Sequence, residues 1–540
     1  MDVETGRGDG QDASPSRWGS IVASAKRHAA FIGPGIVASV GYTDPGNWVT
    51  DLSAGSQFGY ALLFVVLLSG LVGILLQILA VRMGAVTGHD LARNSRLLLL
   101  PENKTRAELK WYKTRVVALW LLYLVSEGAI IATELAELIG SAVALNLLFP
   151  RLPLWGGVII TSADVLLILF VYRPSGNFRI LEILIAALVM VVLACYIALL
   201  VRTKPHWPTV FHGYIPSSTL VEPGALYAGI GIVGAVIMPH SLFLGSHFST
   251  IDRLRPVKVQ SEEASVQEDA REGPAEAGTP SGNLGHWIRR HLIQRFPSID
   301  ASSLQQFSIR RAFTTAPSST DEMVPPGACH SIESIKLHLP HASWDIALSL
   351  VFFAITVNSA ILIVAGAAFY YNRGSREVGD LYDAYHLLSD TLGNAYAVLF
   401  AIALLAAGQS ASITVTLAGQ IVSEGFINWR TNPFVRRLIT RVITIIPSLA
   451  IASAVGRGGL NEALEASQVA LSFALPFVLV PLILVTALPS FMTVTEDTEQ
   501  GGASHSFTSH WIVTAVSIVA YVAILLADMY TLVTTIMGKQ

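Results

Sequence analysis

Runs of roughly 20 apolar residues recur along this chain, and that is the length a helix needs to cross a hydrocarbon layer about 30 Å thick. The stretch ALLFVVLLSGLVGILLQILAV, from Ala61 to Val81, is one such run. Between the runs the charge is thin: 14% of the residues are charged, where globular domains carry about 25%. With 52% hydrophobic residues and a positive mean hydropathy, the 540-residue chain is an all-α, multi-pass membrane protein. Its net charge of −3 says little, because loop charges act locally. The two cysteines, Cys195 and Cys329, give neither a disulfide framework nor metal-site spacing.

The pattern predicts about eleven membrane helices, near residues 30–57, 59–82, 114–148, 155–172, 179–202, 224–250, 344–371, 394–427, 435–455, 464–488 and 510–536. The polar first 28 residues end in Lys26 and Arg27 before the first apolar run, which is too long for a removable signal peptide. By the positive-inside rule the amino terminus is therefore cytoplasmic. The loop 83–113 agrees, with Arg93, Arg96, Lys104, Arg106, Lys110 and Lys113, and so does the loop holding Arg430, Arg436 and Arg437. The acidic loop Ser490–Ser509 lends no support. Asn103-Lys104-Thr105 is a glycosylation sequon that this topology leaves in the cytoplasm, unmodified.

Four segments follow. Residues 1–29 form a disordered cytoplasmic tail, and 30–250 hold the first helical repeat plus a broken sixth helix. Residues 251–342 form a disordered cytoplasmic insert rich in Glu, Ser, Pro and Gly, and 343–540 complete the second repeat and add a last helix. Within the insert, HWIRRHLIQRF is either a short basic helix on the membrane surface or a solvated linker.

Two of the apolar runs are interrupted halfway. The first contains Asp44-Pro45-Gly46-Asn47, and the sixth contains Met238-Pro239-His240 after a glycine-rich stretch. Proline removes a backbone donor and an ionisable group at membrane depth is costly, so such breaks survive where they line a cavity. Paired breaks, each first in a set of five helices, match the inverted-repeat plan of secondary transporters, whose substrate sits at the midplane. Asp44 offers a hard anionic oxygen, Asn47 a neutral one and Met238 a thioether, which Ca²⁺ and Mg²⁺ gain little from. Mixed O and S donors point to a divalent first-row metal. In the third helix Glu127, Glu134 and Glu137 are spaced by seven and three, which puts them on one face.

These residues resemble the Nramp divalent-metal transporters. The paired signature is Asp44-Pro45-Gly46-Asn47 with Ala235-x-x-Met238-Pro239-His240. GAVTGHDLAR, SEGAIIATELAELIG, LLAAGQSASITVTLAGQIVSEGF, LITRVITIIP and SQVALSFALPF extend the likeness over nearly the whole chain, leaving out the amino-terminal tail and the insert. The wording MPHSLFLGS is most similar to fungal manganese and iron members. The resemblance implies a leucine-transporter-type fold of two inverted five-helix repeats plus an extra helix, and proton-coupled import of Mn²⁺ or Fe²⁺ toward the cytosol. It implies metal ligands at Asp44, Asn47 and Met238, the Ala235 carbonyl beside them, and Gln468 joining in the occluded state. It also implies a proton route from Asp44 along the acidic face of the third helix, with Arg441, or else Arg437, stabilising the released state and His240 bordering the site. Glu127 and Glu134 are equally readable as structural partners of Arg441. Two positions depart from the family: Glu134 stands where bacterial members often have Asp, and Gly245 replaces a second histidine, whose role is lost or moved to His247.

The expected partners are divalent ions, protons and the bilayer, with no nucleic acid, no cofactor and a monomeric state. Plasma membrane, endosome and vacuole all fit. A different substrate on the same scaffold is disfavoured by Met238 for Mg²⁺ and by Asp44 for an amino-acid carboxylate. A non-transporting sensor would leave the acidic face unexplained. No phosphate-binding loop, nucleophile elbow or zinc-hydrolase motif suggests an enzyme.

Overall fold

The computed structural model describes residues 34–171, 178–250, 331–371, 380–428, 433–454, 457–496 and 503–537. The amino-terminal tail, most of the insert with its HWIRRHLIQRF stretch, and the side chains of Arg179 and Arg437 lie outside the described residues. A helix or helix pair stands at each expected position. The first span is split into α1 (Pro34–Val40) and α2 (Pro45–Phe58), and α3 (Leu63–Thr87), α4 (Leu91–Leu99), α5 (Tyr112–Leu148), α6 (Leu154–Val171) and α7 (Phe178–Thr203) follow. The sixth span is split into α8 (Pro223–Val236) and α9 (Pro239–Phe248). Beyond the insert come α10 (Ile332–Tyr371), α11 (Leu381–Leu392), α12 (Asn394–Ile427), α13 (Pro433–Ala454), α14 (Arg457–Ala487) and α15 (Trp511–Ile536). Among the described residues, eight helices or helix pairs are long and apolar enough to cross a membrane.

Burial separates the centre of the bundle from its rim. Helix α12 is the hub, packed most extensively on α5 and also on α7, and its buried residues are rich in Ala, Gly, Ser and Thr. Small residues let helix backbones approach where no hydrophobic force distinguishes neighbour from lipid. Helix α15 is at the rim: Trp511, Val519, Leu526 and Ile536 are exposed, as a lipid-facing surface should be. Helix α10 is wound more loosely at Leu350–Ile355 and Gly366–Tyr371, where the hydrogen bonds skip to the fifth residue.

Two expectations need correcting. The seventh span begins at Ile332, not near 344, so residues 332–342 are helix and do not belong to a disordered insert. Ser331 caps this start by accepting a hydrogen bond from the Ser334 amide at 3.2 Å, and Ile332 and Ile335 bury against Val86, Met492 and Phe507. In the acidic loop Ser490–Ser509 the structure places an antiparallel hairpin of β1 (Thr493–Glu496) and β2 (Ala503–Ser506), with Thr493 opposite Ser506. The Arg82 guanidinium ties that loop to α3 through the Phe507 and Thr508 carbonyls, at 2.9 and 3.1 Å.

Candidate metal and proton site

Both breaks follow from proline. In a continuous helix the carbonyl of Gly41 would accept from the amide of residue 45, and that of Ala235 from residue 239; both positions are proline and have no N–H. Each broken span therefore carries a carbonyl without an intrahelical partner at its midpoint. The chain turns at Gly41–Asp44, with the Tyr42 and Thr43 amides bonded to the Ser39 and Val40 carbonyls at 3.0 Å. In the sixth span Ile237 and Met238 leave the helical region, with ψ of 72° and 126°.

Asp44 caps α2, and its geometry divides its two oxygens. Oδ1 accepts from the Asn47 amide at 2.9 Å and from Asn47 Nδ2 at 2.7 Å, while Oδ2 is buried with no hydrogen-bond partner. Asn47 spends its NH₂ on Asp44, which leaves its Oδ1 buried and without a partner as well. Gln468 of α14 repeats the arrangement: Nε2 donates to Ser467 Oγ at 3.0 Å and Oε1 is unpartnered. Three buried acceptors without donors are expensive unless something cationic comes between them.

Close backbone approach gathers these groups. A methyl on Gly46 would overlap the Gln468 carboxamide, and one on Gly234 would overlap the Gln468 carbonyl and crowd Ser472. Met238, fully buried, stands at the N-cap position of α9 and belongs to one apolar cluster with Ala129 of α5 and Leu471 and Ala474 of α14, and Leu471 lies about one turn from Gln468. Ala235 is buried on the last turn of α8. His240 borders the first break: a Cβ on Gly41 would stand 2.7 Å from its Nε2, and neither ring nitrogen has a partner.

The acidic face of α5 is divided among its members. Glu134 forms a buried ion pair with Arg441 of α13, whose Nη2 also donates to Ser412 Oγ at 2.6 Å. Glu137 is fully buried with both oxygens unpartnered, and its charge is felt by Asp44, Glu134 and Arg441. Glu127 is half-buried and electrostatically coupled to Glu134. From Glu137 to Glu127 the line covers about 15 Å of helix. His247 is not part of it, standing 3.7 Å from Asp90 at the start of α4. The space beside Gly245 is filled by Gln77, whose Nε2 donates to the Ser241 carbonyl at 3.1 Å.

Several polar residues of this region are not candidate site residues on the sequence alone. Gln77 braces α3 against α9, and Asp345 of α10 accepts from the Gly35 amide at 2.7 Å, capping α1. Asn358 of α10 donates to the Tyr42 carbonyl inside the first break at 2.8 Å and so joins α10 to the broken span. Each is a polar side chain in an apolar run, and that signal alone could have found them.

The profile of the natural resistance-associated macrophage protein-like family matches residues 35–268 and 328–534. The manganese transporter pdt1 of Schizosaccharomyces pombe is 40% identical over 510 residues, covering 93% of this chain and 84% of that protein. Among solved structures, the Eremococcus coleocola manganese transporter bound to an aromatic bis-isothiourea compound superposes with a TM-score of 0.67 at 29% identity, over 98% of this chain and 88% of that one. Mhp1, a nucleobase-cation-symport-1 transporter, superposes with a TM-score of 0.50 at 13% identity, over 92% and 88%, a likeness of fold alone.

Proposed function

The chain belongs to the Nramp family, and from that premise we propose that it is a proton-coupled symporter moving Mn²⁺ or Fe²⁺ toward the cytosol by alternating access. Its fold is of the leucine-transporter type, mostly helical and integral to the membrane, and it is a transporter, not an enzyme. Asp44, Asn47, Met238, the Ala235 carbonyl and Gln468 hold the metal. The observation that carries this reading is the set of buried oxygens at Asp44, Asn47 and Gln468 with no donor, gathered by the close approach of Gly46 to the Gln468 carboxamide.

Asp44 ties the proton to the metal. Its free Oδ2 serves either a metal ion or a proton, so the two binding equilibria are linked. A proton leaving Asp44 meets Glu137 first, then the Glu134–Arg441 pair, and Glu127 lies farthest along the helix. With the amino terminus cytoplasmic, that order runs toward the cytosol. Because Arg441 already neutralises Glu134, the unpartnered Glu137 and the half-buried Glu127 are the better carriers and Glu134 sets the field between them. His240 borders the metal and keeps the first break in place. The protein works as a monomer, in the plasma membrane or in an endosomal or vacuolar membrane.

The deciding experiment is Mn²⁺ uptake into proteoliposomes by Asp44→Ala. Uptake falls to the level of empty liposomes while the protein elutes as a single folded peak. Wild-type uptake by that variant would refute the site.

A further inference from the structure

Helices α2, α8 and α14 each turn one face toward a groove of about 130 Å³ that the metal site described above does not use. Thr50, Ser53 and Gln57 line it from α2, Gly224, Tyr227 and Gly231 from α8, and Glu465 and Val469 from α14. Its outer end lies at Gln57 and Gly224, both exposed, and its inner end at Thr50, which is buried. Thr50 Oγ1 donates to the Asn47 carbonyl at 3.0 Å, and Val469 follows Gln468 directly. The groove thus runs inward to the backs of two residues of the site, and the contact between Gly46 and Gln468 stands at its inner end.

Among the described residues, Glu465 is the one charged side chain in its lining. Asn461 Nδ2 donates to its Oε1 at 3.1 Å, and the Ser53 hydroxyl bonds to it across the groove. The carboxylate lies one turn before Gln468 on the same helix. A single carboxylate among hydroxyls cannot replace the water shell of a divalent ion, but it suits an ion that keeps its waters, and the volume holds several.

We propose that this groove is an entry station for a hydrated divalent transition-metal ion, held by the Glu465 carboxylate with the hydroxyls of Thr50, Ser53 and Tyr227. The ion waits there one helical turn from Gln468 until the Gly46–Gln468 contact opens. The proposal rests on the transport reading, so its test must be separable from that reading.

Binding of Mn²⁺ itself, followed by loss of its free-ion electron paramagnetic resonance signal, makes the separation on full-length purified protein. Asp44→Ala/Met238→Ala removes the central site; one weaker Mn²⁺ equivalent remains. Adding Glu465→Gln weakens that residual site roughly tenfold, and Glu465→Asp in its place restores it. Gln keeps the acceptor for Asn461, so a role confined to shaping α14 would leave binding unmoved by Glu465→Gln. Residual binding that is absent, or indifferent to Glu465→Gln, overturns the station whether or not the protein transports. In liposomes, Glu465→Gln alone raises the KM for Mn²⁺ roughly tenfold and holds the maximal rate within about twofold. An unchanged KM overturns the station equally. Wild-type protein that moves no Mn²⁺ would instead sink the transport reading, with the residual-binding result still deciding the groove.

Discussion

At the scale of single residues, the sulfur of Met238 makes the sharpest claim about selectivity. A thioether adds little to the binding of hard Ca²⁺ and more to that of a first-row transition metal, so it discriminates rather than merely binds. Met238→Ala should therefore keep measurable Mn²⁺ uptake while Ca²⁺ becomes an effective competitor, read as inhibition of Mn²⁺ uptake by millimolar Ca²⁺. Continued exclusion of Ca²⁺ would sink the argument. Arg441 makes a claim about stability. It is fully buried and paired with Glu134, and removing one partner of such a pair typically costs about 3–5 kcal/mol because the other is left uncompensated. Arg441→Ala should lower the thermal midpoint in detergent, and Arg441→Ala/Glu134→Gln should recover most of the loss without restoring proton-coupled uptake. Full recovery of coupling in that double variant would reduce both residues to structural partners. Asp44, Asn47 and Met238 were legible in the sequence because proline and carboxylate inside an apolar run are anomalous on their face. Gln468 was not legible from its own surroundings: one carboxamide in an apolar helix reads as helix-joining, and only the family resemblance set it apart.

At the scale of helices, the site depends on how closely α2, α8 and α14 approach one another. Gly46 and Gly234 have no Cβ, and the Gln468 side chain and carbonyl occupy the space such an atom would take. Gly46→Ala should drive the Gln468 carboxamide out of its place against α2 and cut Mn²⁺ uptake at least tenfold. Uptake by Gly46→Ala equal to wild type would mean that the helices need not meet there. The two breaks were legible because Pro45 and Pro239 dictate them covalently. The start of α10 at Ile332 was hidden, since Ile332 and Ile335 alternate with polar residues and become core only where Val86, Met492 and Phe507 meet them. The β1–β2 hairpin was hidden for the same reason: one strand residue, Val494, packs against the cluster of Met492 and Phe507 that flank it, and the remaining strand residues are polar or small.

At the scale of the whole molecule, the two breaks are counterparts. Each belongs to the first span of its five-helix set, and each carries a carbonyl released by a proline four residues on. On the proposed reading, metal held between them faces either side as one set moves against the other, and the acidic line on α5 is a separate path for the proton. A shared group at Asp44 and separate exits make coupling obligatory only if the proton leaves by α5 as the metal leaves by the central cavity. This predicts the behaviour of the intact protein in liposomes with an imposed pH gradient. With the exterior acidic relative to the interior, Mn²⁺ and Fe²⁺ uptake should accelerate severalfold, while Mg²⁺ and Ca²⁺ are taken up no faster than by empty liposomes. Linkage requires the converse at equal pH, so an inward Mn²⁺ gradient should acidify the lumen, read with a trapped pH dye. Glu137→Gln should suppress that acidification more than it suppresses Mn²⁺ entry, because the proposed metal route does not run along α5. Mn²⁺ uptake indifferent to the gradient in wild type, or equal loss of both fluxes in Glu137→Gln, would show that metal and proton share one path and that the division of labour drawn from these helices is wrong.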